Sequence, residues 1–142
     1  MIRWLIQSDL NQVMEIENSF DLFTTKEEII SSLQQKSRIG LVYEIDEEIC
    51  GFMIYSCEEA YYFIHKLVID EDHRGRGIAT ELIDKLANKL GDKRDSIILQ
   101  IRETNQNALL FLKSLGFKGF LVPGEKWNMI EMEYSVSRIY DR

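Results

Sequence analysis

The sequence predicts a mixed α/β (α+β) fold with a single central β-sheet, and three observations carry that prediction. Extended apolar runs rich in Val, Ile, Tyr and Phe alternate with segments whose apolar residues recur at helical spacing. The order is strand-rich, then helix, strand, helix and two strands, with no linker, repeat or low-complexity stretch between them. One stretch, Phe63 to Leu90, joins a strand to a helix through a loop containing two glycines and three basic residues. With 142 residues, 45% hydrophobic and 29% charged, the chain suits one domain, expected over residues 1–136 with 137–142 as a frayed tail.

In order along the chain, Arg3 to Ile6 begins a short apolar segment, and Ser8-Asp9 offers an N-cap to a helix carrying Leu10, Val13, Met14 and Ile16. Asn18 to Thr24 holds Phe20, Leu22 and Phe23 without a clear period; they either close over the core or form a lid beside a substrate groove. Thr25-Lys26-Glu27-Glu28 has the form of a capping box opening a second helix to about Gln35. Ile39 to Asp46 and Ile49 to Cys57 make a hairpin around an acidic Asp46-Glu47-Glu48 turn, and Tyr61 to Asp70 is a further strand. Ile78, Leu82, Ile83, Leu86, Ala87 and Leu90 line one face of a helix expected to end at Gly91. Ser96 to Arg102 is a strand, Thr104 or Asn105 caps a helix running to Leu115, and Gly116 terminates it. Phe117 to Val122 and Trp127 to Val136 are two final strands about Pro123-Gly124.

Composition narrows the functional classes. The formal charge of -7 opposes nucleic acid and accommodates a cationic partner such as an amine. No apolar run approaches the ~20 residues of a membrane helix, and no secretory profile begins the chain, so a cytoplasmic protein without a membrane partner is expected. Cys50 and Cys57, seven apart in a strand, are predicted to face opposite sides of the sheet and remain thiols; neither has metal-ligand spacing to a second Cys or a His, so no metal is expected. The sequence is silent on oligomeric state.

The chemistry concentrates in Asp70-Glu71-Asp72-His73-Arg74-Gly75-Arg76-Gly77-Ile78-Ala79-Thr80. A glycine-rich turn from strand to helix forms an anion site, because the helix's first amides lack intrahelical partners and its dipole is positive there. Arg74 and Arg76 add formal charge. The loop lacks Gly-Lys-Ser/Thr and does not continue as G-x-G-x-x-G, which removes the two commonest nucleotide fingerprints.

The arrangement Arg74-x-x-Gly77-x-Ala79 resembles the acyl-CoA pyrophosphate loop of the GNAT superfamily of N-acyltransferases, Gln/Arg-x-x-Gly-x-Gly/Ala. Asn105-Gln106-Asn107-Ala108 and Lys113-Ser114-Leu115-Gly116-Phe117 are similar to that superfamily's last helix. Met1-Ile2-Arg3, Asp9-Leu10 and Ile16-Glu17-Asn18-Ser19-Phe20 resemble the start of RimI-like protein N-terminal acetyltransferases. The resemblance implies a GNAT fold, with a splayed fourth and fifth strand pair and about four flanking helices. It also implies acetyl-CoA as co-substrate, its pyrophosphate on the backbone from Arg74, Gly75, Arg76 and Gly77 to Ile78, Ala79 and Thr80. Pantetheine would run along the backbone of Leu67, Val68 and Ile69, with a contact from Asn105.

RimI-like enzymes carry a strand Glu as base and a helical Tyr as acid; here those positions hold Gln100 and Leu112, which can neither accept an amine's proton nor give one to a thiolate. His65, on the strand face of Leu67 and Ile69, is a candidate base or else a core histidine among Tyr61, Tyr62 and Phe63. Tyr134 and Glu103 are the remaining candidates for acid and base. Without an evident base, an α-amine of pKa near 8 is a better acceptor than a lysine amine near 10.4, the ~300-fold difference in neutral fraction being worth about 3.5 kcal/mol. The sequence therefore points to N-acetyl transfer onto a protein or peptide N-terminus. A small-molecule amine using His65, or an acyl-CoA-binding module without catalysis, are the alternatives.

Overall fold

The structure is a computed structural model; it describes residues 1–18, 26–35 and 38–136. Most of the Asn18 to Thr24 stretch, expected either to close over the core or to form a lid, lies outside the described residues, as do the Thr25 end of the capping box and the tail. Among the described residues seven strands form one mixed sheet in the hydrogen-bonded order β1 (Ile2–Trp4), β2 (Arg38–Ile45), β3 (Glu48–Cys57), β4 (Tyr61–Ile69), β5 (Ser96–Arg102), β7 (Met129–Ser135), β6 (Lys118–Val122), with four α-helices. The fold class is the one expected. By backbone contact the chain divides into two compact units, Met1–Cys57 with Ile64–Asn88, and Glu58–Phe63 with the chain from Lys89 on.

The first unit holds β1 (Ile2–Trp4), α1 (Leu10–Asn18), α2 (Lys26–Gln34), β2 (Arg38–Ile45), β3 (Glu48–Cys57), most of β4 (Tyr61–Ile69) and α3 (Ile78–Ala87). Leu10, Val13 and Ile16 of α1 and Ile29 of α2 bury against Val42, Ile49, Phe52 and Ile54. The β2–β3 hairpin closes through two residues, Asp46 and Glu47, both at positive φ (49° and 67°), with Glu48 already paired to Ile45. That is the twist-matched two-residue turn of a tight hairpin, and acidic side chains tolerate it less well than Asn-Gly would.

Farther along β3 the register shifts: Tyr43 pairs with Gly51 and Glu44 with Ile49, which leaves Cys50 as the extra residue of a bulge. The bulge puts Ile49 and Phe52 in the same core despite their odd spacing. It also interrupts the alternation on which the opposite-face argument for Cys50 and Cys57 rested, although both are free thiols. Burial pushes the Cys50 thiol up from its ordinary value, which keeps it protonated at neutral pH.

Residues Ile49 to Ser56 of β3 are buried without a break, as a strand covered on both faces requires. Gly51 is where this crowding is greatest. A Cβ there would lie 2.7 Å from Ile69 Cδ1, 3.1 Å from the Val68 carbonyl oxygen and 3.3 Å from Ile78 Cγ2. Gly51→Val is therefore expected to destabilise the protein by about 2 kcal/mol through overpacking, read as a lowered midpoint in a urea melt with unchanged slope. An unchanged midpoint would show that Ile69 and Ile78 move aside freely.

Ser8-Asp9 does not cap α1 in the expected way. Gln7–Asp9 form a 3-10 turn, and the Asp9 carboxylate reaches back to accept from the Ile6 amide (2.9 Å) and both terminal nitrogens of Arg3 (2.8 and 2.9 Å). Arg3 also bonds Glu44 (3.2 and 3.4 Å), so one guanidinium ties β1, β2 and the start of α1. Asp9 is only 4% exposed, and Arg3 holds its carboxyl below the usual carboxylate range. The short apolar segment at Arg3 to Ile6 is a strand only at its start, within Ile2–Trp4. Helix α3 ends at Ala87, with the Asn88 amide bonded to Asp84; Gly91 lies beyond it, its amide bonded to Arg94.

In the second unit, the first three residues of β4, Tyr61–Phe63, pair in parallel with Ser96–Ile98 of β5 (Ser96–Arg102), and the registered pairs stop there. β5 pairs antiparallel with β7 (Met129–Ser135), and β7 with β6 (Lys118–Val122). Asn105 caps α4 (Gln106–Ser114), its side-chain oxygen accepting from the Ala108 amide at 3.2 Å. The helix ends as expected at Gly116, whose φ of 102° allows its amide to reach the Lys113 carbonyl while the Phe117 amide reaches that of Leu112. Phe117 thus closes the helix and precedes the strand, which begins at Lys118.

Candidate active site

The loop from Asp70 to Ile78 begins at a fixed main-chain point: the Asp70 amide donates to the Cys50 carbonyl at 2.8 Å, on the bulge of β3. Glu71–His73 then make a single 3-10 turn, and His73 Nδ1 lies 2.8 Å from Asp70 Oδ2. Arg74 Nε donates to the carbonyl of Ile69, so the guanidinium stem is drawn toward the end of β4. Gly75 and Gly77 follow at φ +76° and +81°.

Two left-handed residues separated by one arginine turn the chain sharply into the helix, a backbone path that glycine takes without strain. Gly77 is the N-cap of α3, and the first helical bond runs from the Glu81 amide to its carbonyl at 3.0 Å. The amides of Ile78, Ala79 and Thr80 therefore have no partner within the helix. Ile78 is buried and anchors the turn, while Arg74, Gly75, Arg76 and Gly77 are exposed. A Cβ on either glycine would meet nothing within 4 Å, so the surface above them is open to an incoming group.

One acid stands in the first turn of α3. Glu81 accepts a hydrogen bond from the Tyr43 hydroxyl at 2.6 Å, which ties the helix to β2 and raises the Tyr43 pKa. These donors, open glycines and two arginines fit a pyrophosphate, whose charge matches amides and guanidinium groups but not the carboxylates of Glu71 and Asp72 earlier in the same loop.

His65 is half-buried on β4, with Nε2 2.8 Å from the hydroxyl of Ser56, which is itself 3% exposed. Sequence reasoning missed Ser56. No residue type or spacing announces the pair, because it depends on how the bulged β3 comes into register beside β4. Leu67, Val68 and Ile69 are half-buried; Val68 packs against the core of α1 and α2, and Ile69 approaches Gly51.

The other candidates belong to the second unit. Gln100 is exposed on β5, opposite Glu131 of β7. Leu112 is 2% exposed, and its carbonyl helps close α4, so this side chain is part of the core. Tyr134 stacks obliquely on Phe117, ring centres 5.6 Å apart, and its ring edge would lie 3.3 Å from a Cβ at Gly116. Its ring is thus engaged in packing at the end of α4. Asn105 uses its carbonyl oxygen for the cap, which leaves the cap's own amide nitrogen as the group for any ligand. Glu103 is exposed and accepts from Asn128 Nδ2 at 3.0 Å, while the Arg102 guanidinium lies 3.9 Å from the ring centre of Trp127.

Residues 6–117 match the model of the acetyltransferase (GNAT) family. An uncharacterised N-acetyltransferase of Methanocaldococcus jannaschii is 29% identical over 137 residues, covering 82% of this chain; the chain spans 60% of that relative's length. Among solved structures, a ribosomal-protein-alanine N-acetyltransferase from Escherichia coli superposes with a TM-score of 0.79 at 20% identity, over 96% of this chain and 93% of that one. An aminoglycoside 6′-N-acetyltransferase complexed with coenzyme A gives 0.78 at 16% identity, over 95% and 96%. At these identities the likeness speaks for the fold. Members of the family use acetyl-CoA.

Proposed function

We propose, because this chain belongs to the acetyltransferase (GNAT) family, that it moves an acetyl group from acetyl-CoA directly to an amine, with a protein or peptide N-terminal α-amine as the preferred acceptor. Residues 1–136 would act as the acetyltransferase domain and 137–142 as its tail, in a cytoplasmic setting that suits two unbonded thiols. The observation that carries the reading is the pair of left-handed glycines opening onto the unpartnered amides of α3. In this reading Arg74 to Thr80 hold the pyrophosphate, the backbone of Leu67, Val68 and Ile69 aligns the pantetheine arm, and the Asn105 amide nitrogen makes a further contact. Acetyl-CoA, once bound, supplies the activated thioester.

The preference for an α-amine is supported by the RimI-like pattern of the N-terminal residues and by the side chains at the two usual proton-transfer positions. Gln100 has no basicity, and Leu112 is apolar and buried. An acceptor that is already substantially neutral near pH 8 needs less help from the protein. Tyr134 and Glu103 remain the candidates for returning or accepting a proton.

The hydrogen bond between Ser56 and His65 favours a second reading, in which His65 takes the proton of a small-molecule amine. His65→Gln is then expected to lower turnover by about 10²-fold and to remove an inflection between about pH 6 and 8 in the pH–rate profile. An unchanged profile returns His65 to a structural role.

The overall proposal is tested by calorimetry with acetyl-CoA, followed by measuring thiol release with α-amine peptides, lysine peptides and polyamines. Release confined to α-amine peptides is the expected result. Turnover of polyamines alone would move the assignment to the second reading. Acetyl-CoA binding without turnover across the panel would make the chain a non-catalytic acyl-CoA-binding module.

A further inference from the structure

Strand β6 ends the sheet and is exposed along all five residues, Lys118–Val122. Edge strands of this kind are ordinarily protected by charges, prolines or a covering element. β6 has one charge, at its first residue, and its centre is apolar: Phe120 is 49% exposed and Leu121 57%. On one face of the strand Gly119 and Leu121 lie beside Met132 and Ile130 of β7 and border a groove of about 200 Å³. Helix α4 forms the groove's other wall and presents Leu110, 64% exposed. An isolated exposed leucine needs no explanation, whereas a free strand edge continuous with an apolar groove is a docking surface.

We infer that this surface joins two copies of the chain, with β6 of one copy paired antiparallel to β6 of the other about a two-fold axis through Phe120. Charge selects the occupant. Each copy carries a formal charge of -7, so two copies repel over most of their surfaces. Helix α4 and β6 contain no acidic residue and only Lys113 and Lys118 as bases. The nearby acids, Glu131 and Glu133, are in register with Phe120 and Lys118 and so lie on the strand face away from the groove.

The register is also self-complementary. Antiparallel pairing about Phe120 sets Lys118 opposite Val122 and Leu121 opposite Gly119, so no like charges oppose and the bulkiest groove-side residue faces the smallest. A parallel pairing would instead bring the two Lys118 side chains together. A closed two-fold contact of this kind uses the same patch on both copies and leaves no further edge at β6. The inference is independent of which amine the protein acetylates.

Sedimentation equilibrium of the full chain is expected to give twice the 16.7 kDa chain mass at micromolar concentration, and Leu121→Lys to return it to the single-chain mass. Because Leu121 is exposed in the single chain, that variant is expected to stay folded and to melt cooperatively, at a midpoint independent of protein concentration. The register is tested separately by mild oxidation. Phe120→Cys places two thiols directly opposite each other and is expected to form a covalent dimer, whereas Lys118→Cys separates them by ~14 Å and is expected not to. The unaltered protein, with Cys50 buried, serves as the control. A chain that stays monomeric at its highest soluble concentration overturns the inference. So does a dimer that survives Leu121→Lys, or equal cross-linking through positions 118 and 120. An acidic peptide that binds this face of a monomeric chain would overturn it in favour of a different occupant.

Discussion

Gly77→Val is expected to weaken acetyl-CoA binding at least ~10-fold, equivalent to about 1.4 kcal/mol, while lowering stability by about 1–2 kcal/mol. Gly77 sits at φ +81°, a conformation that a β-branched residue adopts only under strain. If the backbone relaxes to relieve that strain, the amides of Ile78, Ala79 and Thr80 turn away from their common direction. If it does not relax, the isopropyl group projects into the open space above the loop, where the ligand would sit. Both routes reduce affinity, and calorimetry separates them from a folding defect when the variant's melting curve is recorded beside it. Arg74→Ala is expected to have the smaller effect, because its guanidinium is exposed and screened by solvent, whereas the amides are part of the backbone. Full-strength binding by the Gly77 variant would remove the pyrophosphate assignment.

Arg3→Met is expected to destabilise the protein by about 2 kcal/mol at neutral pH. This is less than the loss for a fully buried ion pair, because the arginine side chain retains 28% of its exposure. The variant leaves Asp9 buried, with the Ile6 amide still donating to its carboxylate but no guanidinium beside it. In the parent protein the Asp9 carboxyl lies below its unfolded value near 3.9, so its contribution is present above that pH and is lost as pH falls through the folded value. In the variant desolvation dominates, the carboxyl is raised, and protonation relieves it. The difference in urea-derived stability between the two proteins is therefore expected to be widest near pH 7 and to narrow below about pH 4. A difference independent of pH would mean that Arg3 acts through the packing of its stem.

What was legible in the sequence was local. Ser96–Arg102 is bounded by its own apolar pattern, and Ile78, Leu82, Ile83 and Leu86 form the buried face of α3 as their spacing requires. Asn105 and Gly116 mark the ends of α4 because a cap and a left-handed terminator act within a few residues of where they stand. Gly91 misled for the same reason: a glycine after a helical pattern marks a terminator only if the helix reaches it, and α3 stops at Ala87. Asp9 has the residue type and position of a helix cap, yet its strongest partner is Arg3, whose placement depends on β1 beside β2. The insertion of β7 between β5 and β6, and the meeting of Ser56 with His65, depend on long-range register that no short window contains.

The bond from the Asp70 amide to the Cys50 carbonyl separates two properties that a binding loop usually changes together. Position is set by a main-chain link to a buried strand, whereas charge is carried by the exposed side chains of Glu71, Asp72, Arg74 and Arg76. Substitutions at those four residues can retune the field at the glycines while the framework that presents them stays in place. A lineage descending from this chain could therefore alter its grip on a charged ligand in small, nearly additive increments, without passing through misfolded variants.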